Sequence, residues 1–462
     1  MKKTYKGALK ASIIAGALVA LTFGAQSLYA DNSFEFHGYA RGGMTMTWGF
    51  QNIYKSNPWG IDGGDQGVAE HYIGRLGNEG NDNYAESEFV DKSVAADGSW
   101  AKYHIMFATR YQNDFQSYPT ASNMTFLVRQ LYAEMGGFSW DPKSTYWVGK
   151  KYNGRDDIHI LDLFWRDYSG EGFGVTNAVN GLFDASMVST GNPSDMLVGT
   201  ESAGTNIPLD WDFRIRPAAI SGLSMLSGLE LEYNLFYQAN LKDQTVNSTI
   251  GSQSASGSDY GSTYAVVYSP DKFFWVADGY SRLVLQYATG EAGTSWNMGA
   301  AYDRNSTGAR PDSSWGLRAI AFGEANNVIG QYVDVMPALI YQTYYDGFSN
   351  DDQASALTFA IRPVVKLTSN VSVQVEYGIT NFMGNNNNTW WHGGTSAAAK
   401  GIVQKFTLAP TLALNSGFWG RPQLRLFYSF IGGDTAMVGD LSNNGSNQNY
   451  TNQFGCQFET WF

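Results

Sequence analysis

Cysteine is nearly missing from this chain: Cys456 stands alone among 462 residues, so no internal disulfide can hold the fold. Histidine is scarce too. His37, His71, His104, His159 and His392 are scattered, with no spacing that would gather a metal, and neither an HExxH nor a GxSxG pattern occurs. Basic residues are outnumbered, 30 against 42 acidic ones. That balance argues against nucleic acid, whose binding runs on Lys and Arg neutralising phosphates. Beyond the first thirty residues no apolar run comes near the roughly 20 residues that a membrane helix needs. A helical membrane protein is thereby excluded.

Residues 1–30 read as a leader. Lys2, Lys3, Lys6 and Lys10 precede the apolar run Ala11 to Phe23, and small residues lead up to Ala30 before Asp31. This is the order of a secretory signal peptide, with cleavage expected after Ala30. With the leader's four lysines removed, the formal charge falls from −12 to −16. No composition break divides the remainder, so residues 31–462 are expected to form one domain.

Glycine (52 residues) and aromatics (15%) are plentiful, and they accompany a period of two. Val371, Val373, Val375, Tyr377 and Ile379 alternate with Ser372, Gln374, Glu376 and Thr380. Leu357, Phe359, Ile361, Val365 and Leu367 oppose Thr358, Arg362, Lys366 and Thr368. Ala101, Tyr103, Ile105 and Phe107 oppose Lys102, His104 and Arg110, and Leu424 to Phe430 repeat the pattern. Such alternation over eight to ten residues reads as strand with one apolar and one wet face. A soluble sandwich alternates as well. Aromatics near strand ends favour instead the girdles of a transmembrane barrel, as does the mixture of short turns with long polar stretches. Asp97-Gly98, Asp141-Pro142 and Ser269-Pro270-Asp271 read as the short turns. Gly384 to Asn388 and Asn443 to Asn447 lie in the long stretches. Phe454, Phe458 and Phe462 share one face of the last segment, opposite Gln453, Gln457, Glu459 and Trp461. In lipid, that final strand must pair with the first to leave no open edge.

No catalytic residue, metal or cofactor is expected. Gly170-Glu171-Gly172-Phe173-Gly174 lacks dinucleotide-binding spacing and reads as a loop. Asp157 and Asp162 are the kind of acidic pair a glycosidase uses, but in a loop-like stretch they read better as pore lining. Aromatic and ionic groups do mix on faces expected to be wet: Tyr39 with Arg41, Tyr84 with Glu86, Trp461 with Glu459. Flat rings match the C–H faces of sugars, and Arg with carboxylates match their hydroxyls. Weak contacts exchanged one by one suit conduction.

At these residues the sequence resembles the maltoporin family. The resemblance is carried by FHGYAR (36–41), RLGNE (75–79), STYWVGKKYNGRDDIHILDLFWRDYSG (144–170), LVLQYAT (283–289), IRP (361–363), FWGRPQLRLF (418–427) and the terminal ETWF. It implies an all-β, 18-stranded antiparallel transmembrane barrel of the outer membrane, trimeric, with a constriction loop folded inward after Lys150. It implies facilitated diffusion of oligosaccharides along an aromatic slide formed by Tyr39, Tyr84, Phe115, Tyr280, Trp419 and Trp461. An ionic track of Arg41, Arg75, Glu86, Arg129, Arg155, Asp157 and Asp162 would run beside it. Phe164 stands where the family has a constriction tyrosine. Phe115 replaces a tryptophan that reaches the slide from a neighbouring subunit, and Gly80 replaces one cysteine of a first-loop disulfide. The long loops of relatives also serve as phage receptors. Two other readings stay open from the residues themselves: a general porin without a sugar site, and a glycosidase using Asp157 and Asp162.

Overall fold

The computed structural model describes residues 31–47, 70–78, 82–112, 124–189, 209–237, 245–247, 254–256, 260–293, 298, 312–345, 353–384, 400–434 and 449–462. The expected leader and Phe115 lie outside them. Among the described residues no helix is long and apolar enough to cross a membrane. The chain is instead a succession of strands. First come β1 (Asp31–Thr47), β2 (Asp82–Val94), β3 (Trp100–Gln112), β4 (Met124–Phe138) and β5 (Asp141–Lys151). A small hairpin, β6 (Asp156–Ile158) with β7 (Leu163–Arg166), precedes β8 (Gly170–Asn177), β9 (Phe183–Ser189), β10 (Leu209–Ile215) and β11 (Leu229–Tyr237). A second short hairpin, β12 (Thr245–Asn247) with β13 (Ser254–Ser256), precedes β14 (Tyr260–Tyr268), β15 (Gly279–Gly290), β16 (Trp315–Ala325) and β17 (Val333–Tyr345). The last are β18 (Gln353–Lys366), β19 (Val371–Gly384), β20 (Gly401–Ala413), β21 (Gln423–Gly433) and β22 (Tyr450–Trp461).

Apart from the two short hairpins, each strand pairs antiparallel with its neighbours in sequence, and β22 pairs back onto β1, closing an 18-stranded barrel. The expected fold class is what the structure contains. Among the described residues, closure leaves no open edge in the 18-stranded sheet, which lipid demands. The burial pattern is inverted relative to a soluble protein. Leu285, Val266, Leu424 and Leu426 are 45–65% exposed on the outer surface, while Glu376, Lys405, Gln453 and Glu459 are wholly buried on the inner one. That inversion rules out the sandwich, whose apolar faces would meet in a core. Aromatics gather near both strand ends, with Trp140, Trp275 and Tyr332 at one and Tyr237, Tyr260 and Tyr450 at the other.

Connections alternate in length because consecutive strands are antiparallel. One end carries 95–99, 139–140, 178–182, 216–228, 269–278, 326–332, 367–370 and 414–422; the other carries the longer ones, 48–81 and 152–169 among them. Two local expectations need correcting. The turn assigned to Asp141-Pro142 is centred on Ser139-Trp140, and Asp141 already opens β5. The glycine-rich stretch 170–174 is no loop: it begins β8, paired with β5 and β9. Glycine is needed there because a Cβ on Gly172 would collide with the Met187 carbonyl of the next strand.

Candidate constriction and sugar site

Two segments from the long-loop end fold into the barrel. Residues 152–169 contain β6, a single 3-10 turn (His159–Leu161) and β7. The turn supplies an apolar foot: Ile158, Ile160, Leu161 and Trp165 are fully buried against Val267, Val284, Ile320 and Met336 of the wall. Arg166 ties the other limb to β11 by bonding Glu230 and Glu232, bonds Asp156 of β6 within the loop, and Gln286 of the wall donates to the Trp165 carbonyl at 2.9 Å. The second segment, 70–78, was not foreseen as inward-folded, since it carries no periodicity. It lies on β18–β20: the Leu76 amide donates to Glu376 (2.8 Å), Lys405 donates to the Leu76 carbonyl (2.9 Å), and Thr380 donates to the Tyr72 carbonyl (2.6 Å). The approach is so close that a Cβ on Gly378 would strike the Ile73 backbone. The two segments clasp each other through Arg75 N–H to Ile160 O, 3.0 Å, and His71 Nδ1 to Leu161 O, 3.0 Å.

Around this clasp the structure gathers most of the residues singled out from the sequence. Arg75 Nη2 donates to the Tyr39 hydroxyl (3.2 Å) and to Glu459 (3.0 Å), and Tyr39 also donates to Glu459 (3.2 Å). Arg41 and Arg75 both face Asp162, at 3.5 and 3.9 Å. Asp162 adopts a left-handed backbone (φ 48°), which aspartate tolerates better than most residues. The Tyr84 hydroxyl donates to Glu86 and accepts from Arg129 Nε (3.3 Å), while Tyr152 donates to Glu86 (2.8 Å). Arg129 reaches the lumen through an irregularity: the β3–β4 register slips between Met106 and Phe107, where Gln130 and Val128 are the partners. Arg129 is the extra residue of that bulge, turned inward with Gln130. Arg155 is stacked between the Tyr152 and Phe164 rings, 4.1 Å from each centroid, and bonds Asp167 at 3.0 Å.

The rings form two pairs: one lies on the adjoining strands β1 and β2, the other joins connection 414–422 to β22. Tyr39 and Tyr84 lie 6.2 Å apart, and Trp419 and Trp461 lie 6.0 Å apart; Tyr39 and Trp461 are register partners across the β1–β22 seam. The Trp419 indole donates to Glu324 (2.5 Å), whose register partner on β15 is Tyr280. Tyr280 also packs on the apolar foot of the loop. His159, not among the sequence candidates, wedges against Trp419 (4.9 Å) and Trp461 (6.1 Å). Burial, with Arg75 alongside, holds its imidazole neutral well below the usual range. Glu459 was noted only as a neighbour of Trp461, yet it is the hub, taking Arg75, Arg421 (2.9 Å) and Arg425 (2.8 Å). Its place on a wet face two residues from a ring was the available signal.

The two loop carboxyls differ sharply. Burial penalises the Asp162 carboxylate, but Arg75 and Arg41 outweigh it and hold it below its ordinary range. Burial pushes Asp157 up to about 6, opposed by Arg75 and reinforced by Asp162. Among the described residues the Asp157 side chain has no hydrogen bond or ion pair.

The family described as LamB porin matches residues 34–462. A curated relative, the maltoporin of Hahella chejuensis (strain KCTC 2396), is 27% identical over 451 residues, covering 95% of each chain. Among solved structures, Pseudomonas aeruginosa OpdK with vanillate is similar at TM-score 0.47 and 9% identity, covering 94% of this chain and 100% of that one. The Salmonella typhi OmpF complex with daunomycin is similar at TM-score 0.41 and 12% identity, covering 93% and 98%.

Proposed function

This chain belongs to the LamB porin family, sugar-type channels of the bacterial outer membrane, and from that premise we propose that it passes linear, maltodextrin-like oligosaccharides. The sugar slides along Tyr84, Tyr39, Trp461, Trp419 and Tyr280, with Phe115 contributed by a neighbouring subunit of a homotrimer. Its hydroxyls exchange partners along Arg41, Arg75, Glu86, Arg129, Arg155, Asp157 and Asp162. The observation that carries this reading is the Asp157 carboxylate, bonded by no protein group among the described residues and held in the same inward-folded segment whose Asp162 meets Arg41 and Arg75. A half-buried acceptor with no protein partner is left for a ligand donor.

The test is single-channel conductance in a planar bilayer while maltotriose, maltohexaose, sucrose and cellobiose are titrated. Saturable block by the maltodextrin series is the expected result. Conducting pores that no sugar closes would favour a general porin. A carboxyl pair split in this way also suits glycoside hydrolysis. Asp162 is committed to two guanidiniums, however, and only release of reducing ends from a blocking sugar would revive that reading.

Two outcomes refine the site. Asp157 is ionised above about pH 6 and neutral below it, and an ionised acceptor binds a hydroxyl about 1 kcal/mol more tightly than a neutral one. Sugar block should therefore weaken about five-fold as pH falls through 6, and Asp157→Asn should flatten the profile. A wild-type profile that is already flat would remove Asp157 from the binding track. Phe164→Tyr restores a hydroxyl next to Arg155. It should tighten maltohexaose block; unchanged or weaker block would deny position 164 that role.

A further inference from the structure

One short connection does not stay at the rim. Residues 414–422 turn into the barrel, where Phe418 is buried and joins the apolar foot of the constriction loop. Its ring meets His159 of that loop edge-on at 5.8 Å and the next residue, Trp419, at 4.9 Å. The Phe418 carbonyl accepts from Arg421 (3.1 Å) and Gln423 (3.2 Å). Against the ring stands Arg362, the arginine of the IRP stretch, for which the sugar track has no use. Its guanidinium carbon lies 5.5 Å from the Phe418 centroid, within cation–π range.

Arg362 is only 2% exposed, so a sugar in the lumen does not reach it. Its Nε donates to Glu376 of β19 at 2.7 Å, and Glu376 accepts the Leu76 amide of the other inward segment. A planar guanidinium bonds a carboxylate along its edge while offering its face to a ring, which the compact ammonium of lysine does not reproduce. Leu76, Glu376, Arg362 and Phe418 thus form one chain of contacts from segment 70–78 to the residue beside Trp419. We propose that Arg362 is a positioning residue of the sugar track: it fixes Phe418 and thereby the place of the Trp419 ring, a platform at the periplasmic end of the pore. This role rests on the reading that sugar slides over Trp419. Trp419 and Tyr280 lie at the short-connection end and Tyr84 at the long-loop end, and short connections are periplasmic in barrels of this kind.

The experiment measures maltohexaose association rates from current noise in planar bilayers, with sugar on one side at a time. The full chain carries Arg362→Lys, which keeps a cation for Glu376, or Phe418→Leu, which keeps the apolar foot; wild-type open-channel conductance certifies folding. Tyr84→Ala and Trp419→Ala, at opposite ends, are the controls; they should slow entry from opposite sides and so identify the sides. Arg362→Lys is expected to slow entry from the Trp419 side about ten-fold, the weight of one desolvated cation–π contact, and to leave the other side unchanged. Phe418→Leu alone should show the same one-sided loss, and the two together should slow entry no further. Unchanged entry in either variant, equal slowing from both sides, or full additivity overturns the role of Arg362. If neither control slows entry from either side, the sugar track itself fails, and this role with it.

Discussion

Replacing Glu459 with Gln is expected to cost the barrel about 3–5 kcal/mol, the usual penalty for removing one partner of a buried ion cluster. Glu459 is fully buried and is the shared acceptor of Arg75, Arg421 and Arg425. The amide keeps the shape but leaves Arg421 and Arg425 crowded without a counter-charge, and Arg75 with only Asp162 at 3.9 Å. Arg421 also lies 3.6 Å from the Trp461 ring centroid, so the change should disturb the platform on which sugar is proposed to slide. Three readouts follow for the protein in lipid vesicles: a lower urea midpoint, weaker maltohexaose block, and a reversal potential in a salt gradient shifted toward anions. Glu35→Gln is the contrast. Its pairs with His37 and Lys102 sit at an exposed mouth, where such bridges are worth 0–1 kcal/mol. If the two variants behave alike, Glu459 is not the hub.

Arg166→Met should have the second largest effect, and its form can be argued from competing magnitudes. Arg166 bonds Asp156, Glu230 and Glu232, so its loss leaves three carboxylates facing one another, again about 3–5 kcal/mol. Arg282, 2.6 Å from Asp156, offsets part of this. Against it stands the apolar foot. Ile158, Ile160, Leu161 and Trp165 are each fully buried, at roughly 1.5–3 kcal/mol per side chain. The foot outweighs the tether, so the loop should remain inside while the limb carrying Phe164 loosens. Open-channel current should become noisier with only a modest rise in its mean. Block should weaken at least about ten-fold, which 1.4 kcal/mol of lost preorganisation already supplies. A large stable increase in conductance would show that the loop had swung out, and that the ionic tether rather than the foot holds it.

Legibility of the fold followed the period. Segments such as Val371–Thr380 read as strands because lipid and water on opposite faces enforce strict alternation. Where glycine replaced the alternation, as at 170–174, the strand was invisible, since only its neighbours show why a side chain cannot fit. Arg129 is another case: a bulge sets it inward, and bulges break the parity by which faces are counted. Segment 70–78 has neither period nor cap, and its place is dictated by Glu376 and Lys405, three hundred residues away. The site residues were reached by resemblance. Chemistry alone could isolate only the acidic pair Asp157–Asp162 and the pairs Tyr39–Arg41, Tyr84–Glu86 and Glu459–Trp461, the last three each two residues apart on a wet face. Partners supplied by other elements, such as Tyr152 for Glu86 and His159 for the tryptophans, leave no local mark.

The seam between β22 and β1 has a bearing on assembly. Gly38 and Phe462 exchange backbone bonds of 3.0 and 3.1 Å, and Tyr39 faces Trp461 while Arg41 faces Glu459. The densest part of the proposed track is thus composed of the first and last residues of the folded barrel. A chain cut short by a dozen residues would lose its gate to lipid and its sugar-handling surface in the same stroke. Occupancy of that surface then reports a finished molecule, and a sugar added during refolding would act as a template for the final zipper.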